Sequence, residues 1–132
     1  MYDSYISRIE NKENYEVTAL SSEETLFTDI NLSSTVIKVI KKSSGVFQTD
    51  VELKIINPET NKEINYEIED TPKTLTVYGG NICLNLGSTA LFISDNGWLI
   101  KEYNANQEIQ KIVLGENLAG IIYNNKIEII CL

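Results

Sequence analysis

Histidine is absent from all 132 residues. That removes the commonest general base, the commonest metal ligand and the side chain that changes charge near neutrality. An enzyme built on this chain would have to use carboxylates, Tyr, Lys, Cys or a borrowed cofactor. Basic residues are also scarce: 11 Lys and Arg stand against 19 Asp and Glu, for a net charge of −8. This argues against nucleic acid as a partner, because phosphates demand clustered Lys/Arg, and an anionic membrane face is disfavoured for the same reason. The acidic balance reads first as a solvated surface and second as an attraction for a basic partner. Cysteine is limited to Cys83 and Cys131. No CxxC spacing exists, so neither a zinc motif nor a redox motif is written here. Both cysteines sit in apolar strand-like runs and read as buried free thiols, since a free Cys behaves as a small hydrophobe. No run approaches the length of a transmembrane helix, and the N-terminus lacks the charged and apolar regions of a signal peptide.

What is present is apolar alternation and an internal repeat. The hydrophobic fraction is 42%, enough for one domain with a real core rather than disorder. Aligning Gly79 with Gly115 places Val77 on Val113, Asn81 on Asn117, Ile82 on Leu118, Leu86 on Ile122, Leu91 on Ile127 and Ile93 on Ile129. A period of about 36 residues signals an array of supersecondary units, a solenoid or a propeller.

The alternation supplies the units. Val51, Leu53 and Ile55 alternate with Glu52 and Lys54, a half-buried strand. A turn over residues 57–62 leads to a second strand with Ile64, Tyr66 and Ile68 on one face and Glu63, Glu67 and Glu69 outside, as suits an edge. Two further strands flank Gly79-Gly80-Asn81, with Ile82, Leu84 and Leu86 in phase. Asp95-Asn96-Gly97 then makes a tight hairpin between residues 90–94 and 98–103, because Asn-Gly favours the primed turns that strand twist requires. Residues 109–114, 118–123 and 127–131 give three more strands. Upstream, residues 5–9 and 15–20 read as a hairpin and residues 26–30 and 35–40 as strands. Ser21–Glu24 reads as a loop or a helix start and residues 41–45 as a loop. The expected fold is all-β: antiparallel four-stranded meanders repeated like the blades of a partial propeller. The expected units are a less regular 1–48, a blade-like 49–103 and an incomplete last blade, 104–132.

The segments 51–66 and 91–103, each an apolar strand, an Asn- or Asp-containing turn and an aromatic-bearing strand, resemble the repeats of PQQ-like β-propellers. The stretch running from Asn96-Gly-Trp-Leu-Ile-Lys through Ile112-Val-Leu-Gly-Glu-Asn to Lys126-Ile-Glu-Ile-Ile resembles the C-terminal end of a bacterial family, domain of unknown function 5711. That likeness covers roughly the last 60 residues, judged against the usual unit length of such repeats. It implies a propeller-like fold on the extracytoplasmic side of a bacterial membrane, through an anchor outside this segment. It implies no catalytic residues. It does not imply quinone binding, for neither the stacking platform nor the calcium site of a PQQ enzyme is written here, and no cofactor is expected.

Candidate sites are few. Trp98, Tyr103 and Tyr66 lie at or near outer strands, where they could stack on a ligand or, more simply, cover the seams between blades. Asp95-Asn96-Gly97 has too few carboxylates for a calcium loop and reads as a turn. Gly79, Gly80, Gly87 and Gly115 lack the GxxxxGK[ST] pattern of a phosphate cradle and read as turns, with Gly79 and Gly115 expected in equivalent, left-handed positions. Asp29, Asn31 and Asp50 are scattered, and a glycosidase needs two opposed carboxylates. The leading expectation is a non-enzymatic binding or scaffolding module with a protein or glycan partner, able to form homo-oligomers. A fragment of a carboxylate-dependent hydrolase and a plain structural spacer are the alternatives.

Overall fold

A computed structural model describes residues 21–30, 34–44 and 48–132. The hairpin expected over residues 5–20 lies outside the described residues. Among those described, all regular structure is β-strand, arranged as three antiparallel sheets in chain order. The first holds β1 (Ser21–Ile30), β2 (Val36–Ser44), β3 (Gln48–Asn57) and β4 (Lys62–Ile68). The second holds β5 (Thr74–Tyr78), β6 (Asn81–Asn85), β7 (Thr89–Ser94) and β8 (Leu99–Asn104). The third holds β9 (Lys111–Gly115), β10 (Leu118–Ile122) and β11 (Ile127–Cys131). Each sheet is a meander with neighbours in sequence paired in space. The first strands of successive sheets touch, β1 with β5 and β5 with β9, as the innermost strands of propeller blades do.

Two cores glue the stack. Ile37, Val39, Leu53 and Ile55 of the first sheet meet Ile82, Leu84, Leu91 and Ile93 of the second. The other face of the second sheet, with Cys83, Ala90 and Phe92, meets Ile112, Ala119 and Ile121 of the third, with Ile109 and Tyr123 at the rim. The second sheet is therefore apolar on both faces, and β6 and β7 are buried over almost their whole lengths. This is why its sequence reads as a near-continuous apolar run rather than as alternation.

The unit boundaries differ from those the sequence suggests. Residues 49–68 join β1 and β2 instead of sharing a blade with residues 74–103. The break falls at Asp70-Thr71-Pro72, where the buried Pro72 has no N–H to offer a ladder. The polar residues 41–44 and 21–24 are not loops but strand, because β1 and β2 pair in a register that sets Glu23 opposite Lys42 and Glu24 opposite Lys41. Opposite charges facing each other across a ladder extend it.

The repeat also has a different offset. Cys83 pairs with Phe92 and Gly120 with Ile129; Leu75 pairs with Leu84 and Ile112 with Ile121. Equivalent residues in the second and third sheets thus stand 37 apart, Cys83 matching Gly120 and Phe92 matching Ile129. Ile82 matches the fully buried Ala119, not the exposed Leu118. A slip of one residue exchanges the two faces of a strand, so the Gly-anchored alignment assigns the faces of the third sheet the wrong way round. Gly115 accordingly is not the partner of Gly79. It lies in β9, while the left-handed backbone falls at Gly79 (φ 59) in one turn and at Asn117 (φ 61) in the other.

Candidate binding surface at the sheet seams

The three aromatics singled out by sequence do not converge. Trp98 follows the hairpin tip between β7 and β8 and is 72% exposed. Its backbone carbonyl accepts a bond from Ser94 N–H (2.8 Å), and its own N–H donates to Ser94 Oγ (3.2 Å). Ser94 Oγ also accepts from Asn96 N–H (3.2 Å), and Gly97 N–H donates to the Ser94 carbonyl (2.9 Å). The Asp95–Gly97 segment is therefore a hydrogen-bonded turn. Gly97 has φ 88, and a Cβ there would lie 2.6 Å from Ile64 Cγ2 of β4. Only glycine satisfies both the backbone angle and this close approach between the first two sheets.

Tyr103 and Tyr66 each sit at a seam. Tyr103, on β8, donates its hydroxyl to Glu128 Oε1 of β11, and Tyr123 donates to the same oxygen at 2.9 Å. Lys126 pairs with Glu128 Oε2 at 3.5 Å and lies 5.3 Å from the Tyr123 ring centroid. Two phenols and an ammonium on one carboxylate fasten the second sheet to the third. The Tyr103 hydrogen bond, with that of Tyr123, holds the Glu128 carboxyl below the ordinary carboxylate range. The same bond raises the Tyr103 phenol, and burial together with its hydrogen bonds raises the Tyr123 phenol. Sequence reasoning finds Tyr103 but misses Tyr123, Lys126 and Glu128. The only signal for Glu128 is a charge inside an otherwise apolar strand, Ile127 to Cys131.

Tyr66, on β4, is half-buried against the core between the first two sheets. It borders a cleft of about 190 Å³ whose other walls are Glu67, Ile68, Glu69, Leu86, Leu91 and Glu102. Ile68, Leu86 and Leu91 supply an apolar floor, and no Lys or Arg is among the lining residues; by register the Glu67 side chain turns to the other face of the first sheet. Two other hollows border the second sheet at opposite ends of β7. One is bordered by Thr35, Asn57, Lys62, Asp95 and Asn96. The other surrounds Gly87 beside Lys73 and Glu108, whose ion pair spans 2.5 Å.

The scattered carboxylates do not form a catalytic pair. Asp29 stands level with Ile37, and Ile37 with Ile55, while Asp50 is five residues away along β3. At about 3.4 Å per residue that is roughly 17 Å along the strand, and an odd number of steps puts the two side chains on opposite faces. Asn31 lies outside the described residues. Both cysteines are free thiols. Cys83 is buried as expected, and burial pushes its thiol up to about 12. Cys131 is exposed, because it shares the outward face of β11 with Ile127 and Ile129 rather than the core face. Among the described residues no group of three or more Cys, Asp or Glu converges in the manner of a metal site.

No protein-family profile matches the chain, and no curated protein matches it in sequence. The fold does have solved counterparts. Hsv2 of Kluyveromyces lactis, a β-propeller, superposes with a TM-score of 0.53 at 14% identity, over 84% of this chain and 33% of that one. A second structure of the same protein gives a TM-score of 0.53 at 14% identity, over 83% and 33%. The chain thus spans about a third of the propeller it matches. At this identity the likeness is one of fold, and it shows the three sheets to be stacked propeller-type blades.

Proposed function

We propose that this chain is a non-enzymatic β-repeat module that binds a protein segment at the seam between its first two sheets. The observation that carries this reading is the Tyr66 cleft. It offers an apolar floor, an aromatic wall and the acidic residues Glu69 and Glu102, in a molecule of net charge −8. An extended segment alternating apolar and Lys/Arg side chains complements that lining, burying its apolar groups on Leu86 and Leu91 and setting its cations among the carboxylates. Propeller blades are rigid supports for such sites, and recognition concentrates at their seams and loops. The resemblance of residues 51–66 and 91–103 to PQQ-like repeats, and of the C-terminal stretch from Asn96 onward to domain of unknown function 5711, supports a place in a larger bacterial surface protein on the extracytoplasmic side.

The test is a thermal-shift screen of the 132-residue chain against a Lys/Leu peptide library, an oligosaccharide panel and chromogenic glycosides. Stabilisation by a basic peptide, lost in Tyr66→Ala, is the expected result, since a ligand specific to the folded state raises stability by mass action. Stabilisation by oligosaccharides alone moves the assignment to a glycan partner. Turnover of a chromogenic substrate overturns the non-enzymatic reading.

A further inference from the structure

The outward face of the third sheet carries nine positions: Lys111, Val113 and Gly115 on β9, Leu118, Gly120 and Ile122 on β10, and Ile127, Ile129 and Cys131 on β11. One of the nine is charged. Ile127 and Ile129 are 64% and 65% exposed, and Val113 and Leu118 are exposed as well. The face is tight as well as apolar. A Cβ on Gly120 would lie 2.9 Å from Val113 Cγ2 and 3.7 Å from Ile129 Cδ1, so these two side chains close over the glycine.

The same face one repeat earlier is covered. Counting back 37 residues, Ile129 becomes Phe92, Ile127 becomes Ala90 and Gly120 becomes Cys83. All three are buried, and what buries them is the inward face of the next sheet, Ile112, Ala119 and Ile121, with Ile109 beside it. The opposite end of the stack is built differently. The outward face of the first sheet sets Lys38, Lys42, Asp50, Glu52, Lys54, Glu63 and Glu67 among Val36, Ile40 and Ile56, with ion pairs of 2.5 Å between Lys54 and Glu63 and 3.7 Å between Lys42 and Glu52. A second copy stacking head to tail would therefore press these charged side chains onto an apolar face, at a desolvation cost.

We propose that the outward face of the third sheet is a docking surface for a further β-sheet of the same repeat, one that presents small and β-branched side chains as Ile112, Ala119 and Ile121 do. It continues the interface between the second and third sheets by one step, and it is independent of the Tyr66 cleft. Its exposed apolar side chains, Val113, Leu118, Ile127 and Ile129, lie on three adjacent strands of one face, as at an interaction site rather than as scattered surface apolarity.

The experiment extends the full chain by one in-phase repeat. Residues 96–132 are 37 long and begin where the repeat register requires, so a second copy of them is appended after Leu132. Cys131→Ser is made in both copies, and Ile129→Cys is placed in the original third sheet; the buried Cys83 serves as the slow internal control. Alkylation of the thiol introduced at position 129 is compared in the 132-residue chain and in the extended one. The proposal expects labelling at least tenfold slower in the extended chain, together with a higher melting temperature. Equal labelling rates overturn it, whether the added repeat folds elsewhere or not at all. As a second measurement, light scattering on the 132-residue chain carrying Ile129→Cys and Cys131→Ser is expected to give a monomer. A dimer in which the introduced thiol is already protected overturns the proposal in favour of two copies meeting face to face.

Discussion

Phe92 and Ile129 occupy the same place in successive blades, yet one is sealed and the other stands in solvent. Each is the apolar side chain opposite a small residue, Cys83 in one sheet and Gly120 in the other. What separates them is the presence of a neighbouring sheet. Burial here is a property of position in the stack more than of the side chain. A strand of this kind contributes to stability through what is laid upon it, in line with the context dependence of β-propensity.

Substitution of the two residues should expose that difference most strongly. Phe92→Ala is expected to destabilise the chain by about 3–5 kcal/mol, since it opens a cavity in a filled interface. Ile129→Ala is expected to change stability by no more than ~0.5 kcal/mol, as for a surface position. Urea denaturation of both variants gives the comparison directly, and equal losses would mean that the two faces are equally covered.

The next largest effect concerns glycines. Gly97→Ala combines a left-handed backbone with a 2.6 Å approach to Ile64, and is expected to cost on the order of 1–3 kcal/mol. Gly115→Ala meets only the Leu118 side chain, with Cδ1 at 3.2 Å and Cγ at 3.9 Å; that side chain is exposed, and the variant should remain within about 0.5 kcal/mol of the parent. Thermal melts of the pair test which glycine holds the structure.

The smallest effect is electrostatic and appears as a slope against pH. The Glu128 carboxyl is lowered in the folded chain, so its contribution is present above the ordinary carboxylate pKa and is lost as pH falls through the lowered one. Glu63 and Glu108 are lowered by Lys54 and Lys73 and act in the same sense. Glu128→Gln should flatten, without abolishing, the loss of stability on acidification. The Tyr103 phenol is raised, so its share is present below the ordinary phenol pKa and disappears as pH rises through the raised one; Tyr103→Phe should flatten the alkaline limb. Denaturation midpoints measured across both limbs read the two effects.

Much of the fold was legible in the sequence, for a clear reason. The edge strand β4 keeps strict alternation, with Ile64, Tyr66 and Ile68 turned to the core and Glu63 and Glu67 turned out, and one solvated face makes a strand readable. The second sheet hides its register for the opposite reason. With apolar residues on both faces, a slip of one residue leaves an equally apolar pattern, and aligning Gly79 with Gly115 by identity selects the wrong one. The true correspondence sets Gly79 on Glu116 and Gly80 on Asn117, and Asn117 supplies a left-handed residue without a glycine. The seams were legible only in part. Tyr103 and Tyr66 stand out as outer-strand aromatics, but Glu128, Tyr123 and Leu86 reach their partners through contacts between sheets, which no local spacing encodes. At residues 21–24 polarity reads as a loop or a helix start and at residues 41–44 as a loop, whereas charges opposed across β1 and β2 prolong the ladder.

The stacking of the three sheets, with the last face open, is tested most directly by methyl relaxation enhancement from a soluble paramagnetic agent in the 132-residue chain. The account predicts strong enhancement for Val113, Ile127 and Ile129 and weak enhancement for Ile82, Ile93, Ile112 and Ile121. Enhancement of Ile129 as weak as that of Ile121, or of Ile121 as strong as that of Ile129, would contradict it.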